Sequence, residues 1–203
     1  MKSPNHFLSL FGALAFAITG SAQAVVYFES IDGDLSGDNN APTILNFSVG
    51  NNVINGVMGD DEFGVGLPLD RDFFTFTIDP GEYLTAINVT QYQLLGGSGS
   101  FYAISAGTSI TIDSTANHLS NHLVNGLGDI LPALDAGSYS GGLGLDAPLG
   151  PGEYTVWFQE TSALIPYQIE YVVTAVPEPS TAMFGVIFGI AAVARRRRGH
   201  SPC

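Results

Sequence analysis

Asp72-Phe73-Phe74-Thr75-Phe76-Thr77-Ile78 sets Phe74, Phe76 and Ile78 on one side of an extended chain and Thr75 and Thr77 on the other. Successive side chains of a strand point to opposite faces, so this alternation predicts a β-strand with one buried face. Asp79-Pro80-Gly81-Glu82 follows and reads as a turn. The same period recurs along the chain. Ile87 and Val89 alternate with polar neighbours, Tyr154, Val156 and Phe158 share a face within Glu153–Gln159, and Tyr167, Ile169 and Tyr171 repeat the pattern. Val25–Phe28, Thr43–Val49, Phe101–Ser105 and Ser109–Ile112 are shorter strand candidates. Strands of this kind, separated by Gly/Pro turns, predict an all-β fold, an antiparallel sandwich or barrel. Phe74, Phe76, Val156, Phe158, Ile169 and Tyr171 are expected to face one core.

Helical periodicity is confined to Ser114–Ile130. Ser114 or Thr115 would cap a short helix containing Leu119, His122 and Leu123, and Gly126 and Gly128 would stop it. His118 and His122 would then share its face. With no glutamate between them in an HExxH pattern, they read as surface histidines rather than as zinc ligands. The Gly-rich stretch Asp135–Gly152 reads as a long loop.

Both ends of the chain read as addresses rather than as parts of the fold. Lys2 is followed by the mostly apolar Phe7–Ile18 and by the small-x-small site Ala22-Gln23-Ala24, the pattern of a secretory signal peptide cut by signal peptidase. At the other end come Pro177-Glu178-Pro179, the uncharged run Ala182–Ala194 and Arg195-Arg196-Arg197-Arg198. The apolar run makes a helix roughly 20 Å long, short of a hydrocarbon core of about 30 Å unless its flanks and snorkelling arginines help. The arginines should remain cytoplasmic, which puts the body on the far side of the inner membrane. This order of motif, apolar run and basic cluster resembles the PEP-CTERM sorting signal of Gram-negative bacteria. The resemblance implies transient inner-membrane anchoring, then processing near Pro177-Glu178-Pro179 by an exosortase-type enzyme that releases or re-attaches the body. The organisation that follows is a signal peptide over residues 1–24, a β-sandwich domain over 25–175 and a sorting signal over 176–203.

The 203-residue chain carries a formal net charge of −13, and its positive residues sit almost wholly in the two addresses. Between Val25 and Val176 the only Lys or Arg is Arg71, while every acid except Glu178 lies there. So acidic a surface excludes nucleic acid as a partner, because that needs a basic footprint. It suits solubility or divalent cations. The single cysteine, Cys203, lies beyond the arginines, so the body must be held by its core without disulfides. About 150 residues can bury roughly 70% of their unfolded surface, which makes this feasible.

The body carries a second likeness. Asp70-Arg71-Asp72-Phe73-Phe74-Thr75-Phe76, then Pro80-Gly81-Glu82-Tyr83-Leu84, then Leu149-Gly150-Pro151-Gly152-Glu153-Tyr154-Thr155-Val156 resemble the bacterial pre-peptidase C-terminal domain over roughly residues 57–173. The resemblance implies an eight-stranded, jelly-roll-like sandwich. Members of that family sit beside a peptidase, and no peptidase signature accompanies them here. The Gly-rich loop before Leu149 is a departure from the pattern.

Asp32-Gly33-Asp34-Leu35-Ser36-Gly37-Asp38 is the sharpest chemical motif, spaced carboxylates like the start of an EF-hand calcium loop. Its twelfth position is Thr43 where a bidentate Glu is required, and no helices flank it, so it is not read as an EF-hand, and a partial calcium site completed from elsewhere is one reading that stays open. Asp70 and Asp72, with Asp60 and Asp61, are the expected completers, and the competing reading is an Asp/Gly/Ser turn held by local hydrogen bonds. Asp32, Asp34, Asp38, Asp70 and Asp72 are thus the candidate calcium ligands. Trp157, Tyr92, Tyr102 and Tyr154 are candidates for an aromatic platform under a sugar ring. Trp157 falls opposite Tyr154, Val156 and Phe158, so it points outward or into a second layer, unless the register is reversed and it is core. No Gly-x-Ser-x-Gly elbow, phosphate loop or dinucleotide fingerprint is present. The functional expectation is a non-enzymatic protein of the cell surface or extracellular matrix, linked to exopolysaccharide. The alternatives are a carbohydrate- or calcium-binding module and a secreted hydrolase.

Overall fold

The computed structural model describes residues 24–59, 69–93, 99–137, 139–161 and 163–176. Ala22, Asp60, Asp61, Pro177, Glu178, Pro179 and Arg195–Arg198 lie outside the described residues. Among the described residues ten strands run in chain order: β1 (Val26–Phe28), β2 (Thr43–Leu45), β3 (Gly50–Met58), β4 (Arg71–Ile78), β5 (Glu82–Tyr92), β6 (Ser100–Ala106), β7 (Ser120–Val124), β8 (Gly128–Asp129), β9 (Gly152–Gln159) and β10 (Ile165–Ala175). Two one-turn helices, α1 (Glu29–Asp32) and α2 (Leu131–Asp135), interrupt them. The strands form two five-stranded sheets, in the orders β1-β3-β10-β5-β8 and β2-β4-β9-β6-β7. The fold is an all-β, sandwich-like one.

The alternation read in β4, β9 and β10 decides which side of each sheet faces the main core. In the second sheet Phe74 faces Val156, which faces Ile104, and Phe76 faces Tyr154. In the first sheet Ile54 faces Ile169, which faces Val89. All of these lie in one core, together with Phe158 and Tyr171. Phe47 stacks on Phe76 with ring centroids 4.4 Å apart, and Tyr171 sets its edge against Phe74 at 5.8 Å. Each such ring removed from water contributes about 1.5–3 kcal/mol. The hydroxyls of Tyr102 and Tyr171 meet at 3.0 Å across the core, so neither buried oxygen is left unpaired. The pairing of β5 with β10 shifts register between Val172 and Val173, so Leu84 and Ile87 both reach the core although they are three apart.

Five differences from the sequence reading stand out. The sheets are mixed rather than purely antiparallel, because β1 pairs with β3 and β2 with β4 in parallel. These three-residue strands occupy sheet edges, where short strands limit pairing with other chains. The predicted helix over Ser114–Ile130 is instead a 3₁₀ turn, Thr115–Asn117, capped by the Ser114 side chain, followed by β7. Ser-Asn-His-Leu-Val is too short for its period to choose between helix and strand, and pairing with β6 decides it. His118 is therefore not on a helix surface but fully buried, its ring nitrogen Nε2 2.7 Å from the Thr111 carbonyl. Ser109–Ile112 is loop rather than strand, and β3 arises from a stretch whose Gly and Asn masked its alternation.

That loop explains Trp157. The residue does lie opposite Tyr154, Val156 and Phe158, yet it is only 7% exposed. Gly107–Ser114 folds over the outer face of the second sheet, and Ile110 joins Phe73, Ala103 and Trp157 in a second apolar cluster. The Trp157 ring lies 5.9 Å from Phe73 and 4.8 Å from Phe101. The central strands of this sheet are thus covered on both faces.

Candidate functional site

A short arm at the N-terminal end of the domain links the two sheets. It begins as β1 on the edge of one sheet, turns through α1 and a loop, and ends as β2 on the edge of the other. Asp72 meets this arm from inside. It shares the face of Phe74, Phe76 and Ile78, so the period that builds the core also carries a carboxylate to the inner end of β4, where it is fully buried. Glu29, at the start of α1, and Asp34, in the loop after it, complete a cluster. One carboxylate oxygen from each of Glu29, Asp34 and Asp72 lies within 4.8 Å of the other two.

The surroundings are specific. The amide N–H of Leu35 donates to Glu29 Oε1 at 3.1 Å and that of Val57 donates to Oε2 at 2.7 Å. The Tyr167 hydroxyl donates to Asp72 Oδ2 at 2.6 Å. Asp72 Oδ1 is buried without a hydrogen-bond partner. Gly56 in β3 leaves the room for this packing: a Cβ there would stand 2.8 Å from both Glu29 Oε2 and the Tyr167 hydroxyl. Burial raises the Glu29 carboxyl to about 7, against which the two backbone bonds work, and Asp34 and Asp70 add to the rise. Burial, and then the charge of Asp34, raise Asp70 to about 6. Asp72 is pushed well up by burial and by Glu29, with the Tyr167 bond opposing.

Of the predicted calcium ligands, the structure brings together Asp34 and Asp72 and sets Asp70 close enough to feel Asp34. Asp32 and Asp38 are not in the group. Asp32 Oδ2 accepts from the Phe28 amide at 2.8 Å, and Asp38 Oδ1 accepts from the Asn40 amide at 2.9 Å in a local turn. Thr43, at the EF-hand glutamate position, accepts from the Ser36 amide instead. Glu29, Tyr167 and Gly56 were not visible as site residues in the sequence. Only the position of Glu29 directly after the strand pattern Val25–Phe28 could have hinted at it.

The aromatic platform does not form. Tyr102 and Tyr154 face the main core, Trp157 faces the second cluster, and Tyr92 bonds the Ser100 hydroxyl at 2.9 Å. The buried His118 spends Nε2 on a backbone carbonyl rather than on a serine hydroxyl, as a triad would require. No known family matches the chain, and no curated protein matches it.

Proposed function

We propose that the chain is an exported, non-enzymatic β-sandwich that is anchored briefly in the inner membrane, processed by an exosortase-type enzyme, and put to work at the cell surface or in an extracellular, exopolysaccharide-linked matrix. The observation that carries this reading is where the domain stops. β10 is an interior strand, paired with β3 and β5, and cannot be removed without opening its sheet. It ends at Ala175, and the Val176 amide donates to the Gly81 carbonyl at 2.8 Å. Pro177-Glu178-Pro179 begins one residue later. At the other end the Val25 amide donates to Asn52 Oδ1 at 3.0 Å, directly after the expected signal-peptidase site at Ala22-Gln23-Ala24. Cuts at both addresses would leave every described strand whole.

The pre-peptidase-like, jelly-roll reading has support in the topology. β3, β4, β5 and β6 alternate between the two sheets, giving β3-β10-β5-β8 in one and β4-β9-β6-β7 in the other. Two sheets of four strands filled in this alternating way are what wrapped antiparallel pairs produce.

The test is intact-mass measurement of the protein recovered from outside the inner membrane of an exporting cell. The expected species begins near Val25 and lacks everything after about Pro179. A recovered species that still carries Arg195–Arg198 overturns the processing reading.

A further inference from the structure

Every donor that the described residues aim at Glu29 and Asp72 is an N–H or O–H pointed at a carboxylate oxygen. This is how ionised carboxylates are held. Asp72 Oδ1, fully buried, receives no hydrogen bond from any described residue. The body has one Lys or Arg, Arg71, and its position next to Asp72 in the strand turns its side chain to the opposite face. Three carboxylates in one place, one of them with an unpartnered and fully buried oxygen, therefore lack a positive partner among the described residues.

We infer that Glu29, Asp34 and Asp72 bind one divalent cation, calcium in preference to magnesium, and that the cation fastens the N-terminal arm across the two sheets. Donors that are all oxygen select a hard cation. Calcium–oxygen bonds of about 2.3–2.6 Å put opposite ligands up to about 5 Å apart, so oxygens within 4.8 Å of one another fit around a single ion. Magnesium demands near-ideal octahedral geometry at about 2.1 Å and dehydrates reluctantly, so a cradle of three carboxylates suits it less. Asp34 is exposed, so water reaches the open side and completes the coordination. Glu29 and Asp34 come from the arm and Asp72 from β4, so the ion cross-links the segment that joins β1 to β2. Tyr167 and Gly56 are positioning residues: one holds Asp72 from β10, the other leaves space for Glu29. This inference is independent of the sorting reading, since it concerns the domain wherever it is delivered.

The experiment is calcium titration calorimetry and thermal melting of the full chain in mild detergent, after stripping with chelator, with amide hydrogen exchange over the arm. Asp34→Ala removes an exposed ligand without opening the core, and Asp38→Ala removes an acid outside the group. The expected result is one-to-one calcium binding, a higher melting midpoint and slowed exchange at Leu35 and Val57. All three persist in Asp38→Ala. In Asp34→Ala the affinity falls by more than the roughly 10–100-fold that loss of a supporting group would cause. Magnesium gives a smaller shift. Absence of calcium heat and of any midpoint change in the unsubstituted chain overturns the site, as does wild-type affinity in Asp34→Ala. Binding that leaves exchange at Leu35 and Val57 unchanged overturns the fastening role.

Discussion

The hydroxyl of Tyr167 donates to Oδ2 of Asp72 across 2.6 Å, joining β10 of one sheet to β4 of the other at the end of the core. Both groups are buried, and the bond spans 95 residues of chain. It fixes the orientation of Asp72, one of whose carboxylate oxygens lies within 4.8 Å of an oxygen of Glu29 and of Asp34.

Tyr167→Phe removes the donor and keeps the ring. Leaving a buried acceptor unpaired costs about 1–3 kcal/mol, more when it is charged. The metal-free protein should lose stability by about that amount in urea unfolding. A loss below about 0.5 kcal/mol would mean that the bond contributes nothing net.

Gly56→Ala should disturb the same place from β3. Its methyl would approach Glu29 Oε2 and the Tyr167 hydroxyl to 2.8 Å, closer than packing allows, so the carboxylate must move. Overpacking of this kind costs about 1–3 kcal/mol. Calcium affinity should fall with it, because Glu29 is displaced from Asp34 and Asp72. Calorimetry alongside denaturation checks both effects, and unchanged values in both would show that the site has slack.

In chelator, stability should fall as pH rises from about 4.5 to about 7. Glu29 is raised to about 7 and Asp70 to about 6, chiefly by burial, and Asp72 is raised too. An acid with a folded pKa above its unfolded one holds its proton more tightly when folded. Its contribution is complete below the unfolded pKa and is lost as pH climbs through the folded pKa. Bound calcium should flatten this slope, since the ion replaces the protons. Thermal midpoints across the window, with and without calcium, read it directly. A metal-free midpoint that climbs with pH would contradict it.

Phe76→Ala should cost about 3–5 kcal/mol, because the ring is 1% exposed and packs against Phe47, Tyr154 and Tyr171. Thr77→Ala, one residue on and exposed, should change stability by less than about 0.5 kcal/mol. Equal losses at the two positions in denaturant melts would show that the alternation does not define the buried face.

The sequence by itself determined which face of β4, β9 and β10 packs into the main core. A period of two is a property of the extended backbone, legible wherever apolar and polar residues take turns, and Phe74, Phe76, Val156, Phe158, Ile169 and Tyr171 all face the core accordingly. It also marked Asp34 and Asp72 as acids of interest, because closely spaced carboxylates repel. It could not tell Asp34 from Asp32 and Asp38, which are near it in sequence but serve the start of α1 and a local turn. Nor could it see that Trp157 would be sealed by Ile110, or that His118 would be buried, since the covering loop reaches both through contacts made only after β6, β7 and β9 have paired. The tertiary structure alone decided that Glu29 meets Asp72. That meeting requires β1 to join one sheet and β4 the other, and strand pairing between distant segments leaves no local periodicity for a sequence to display.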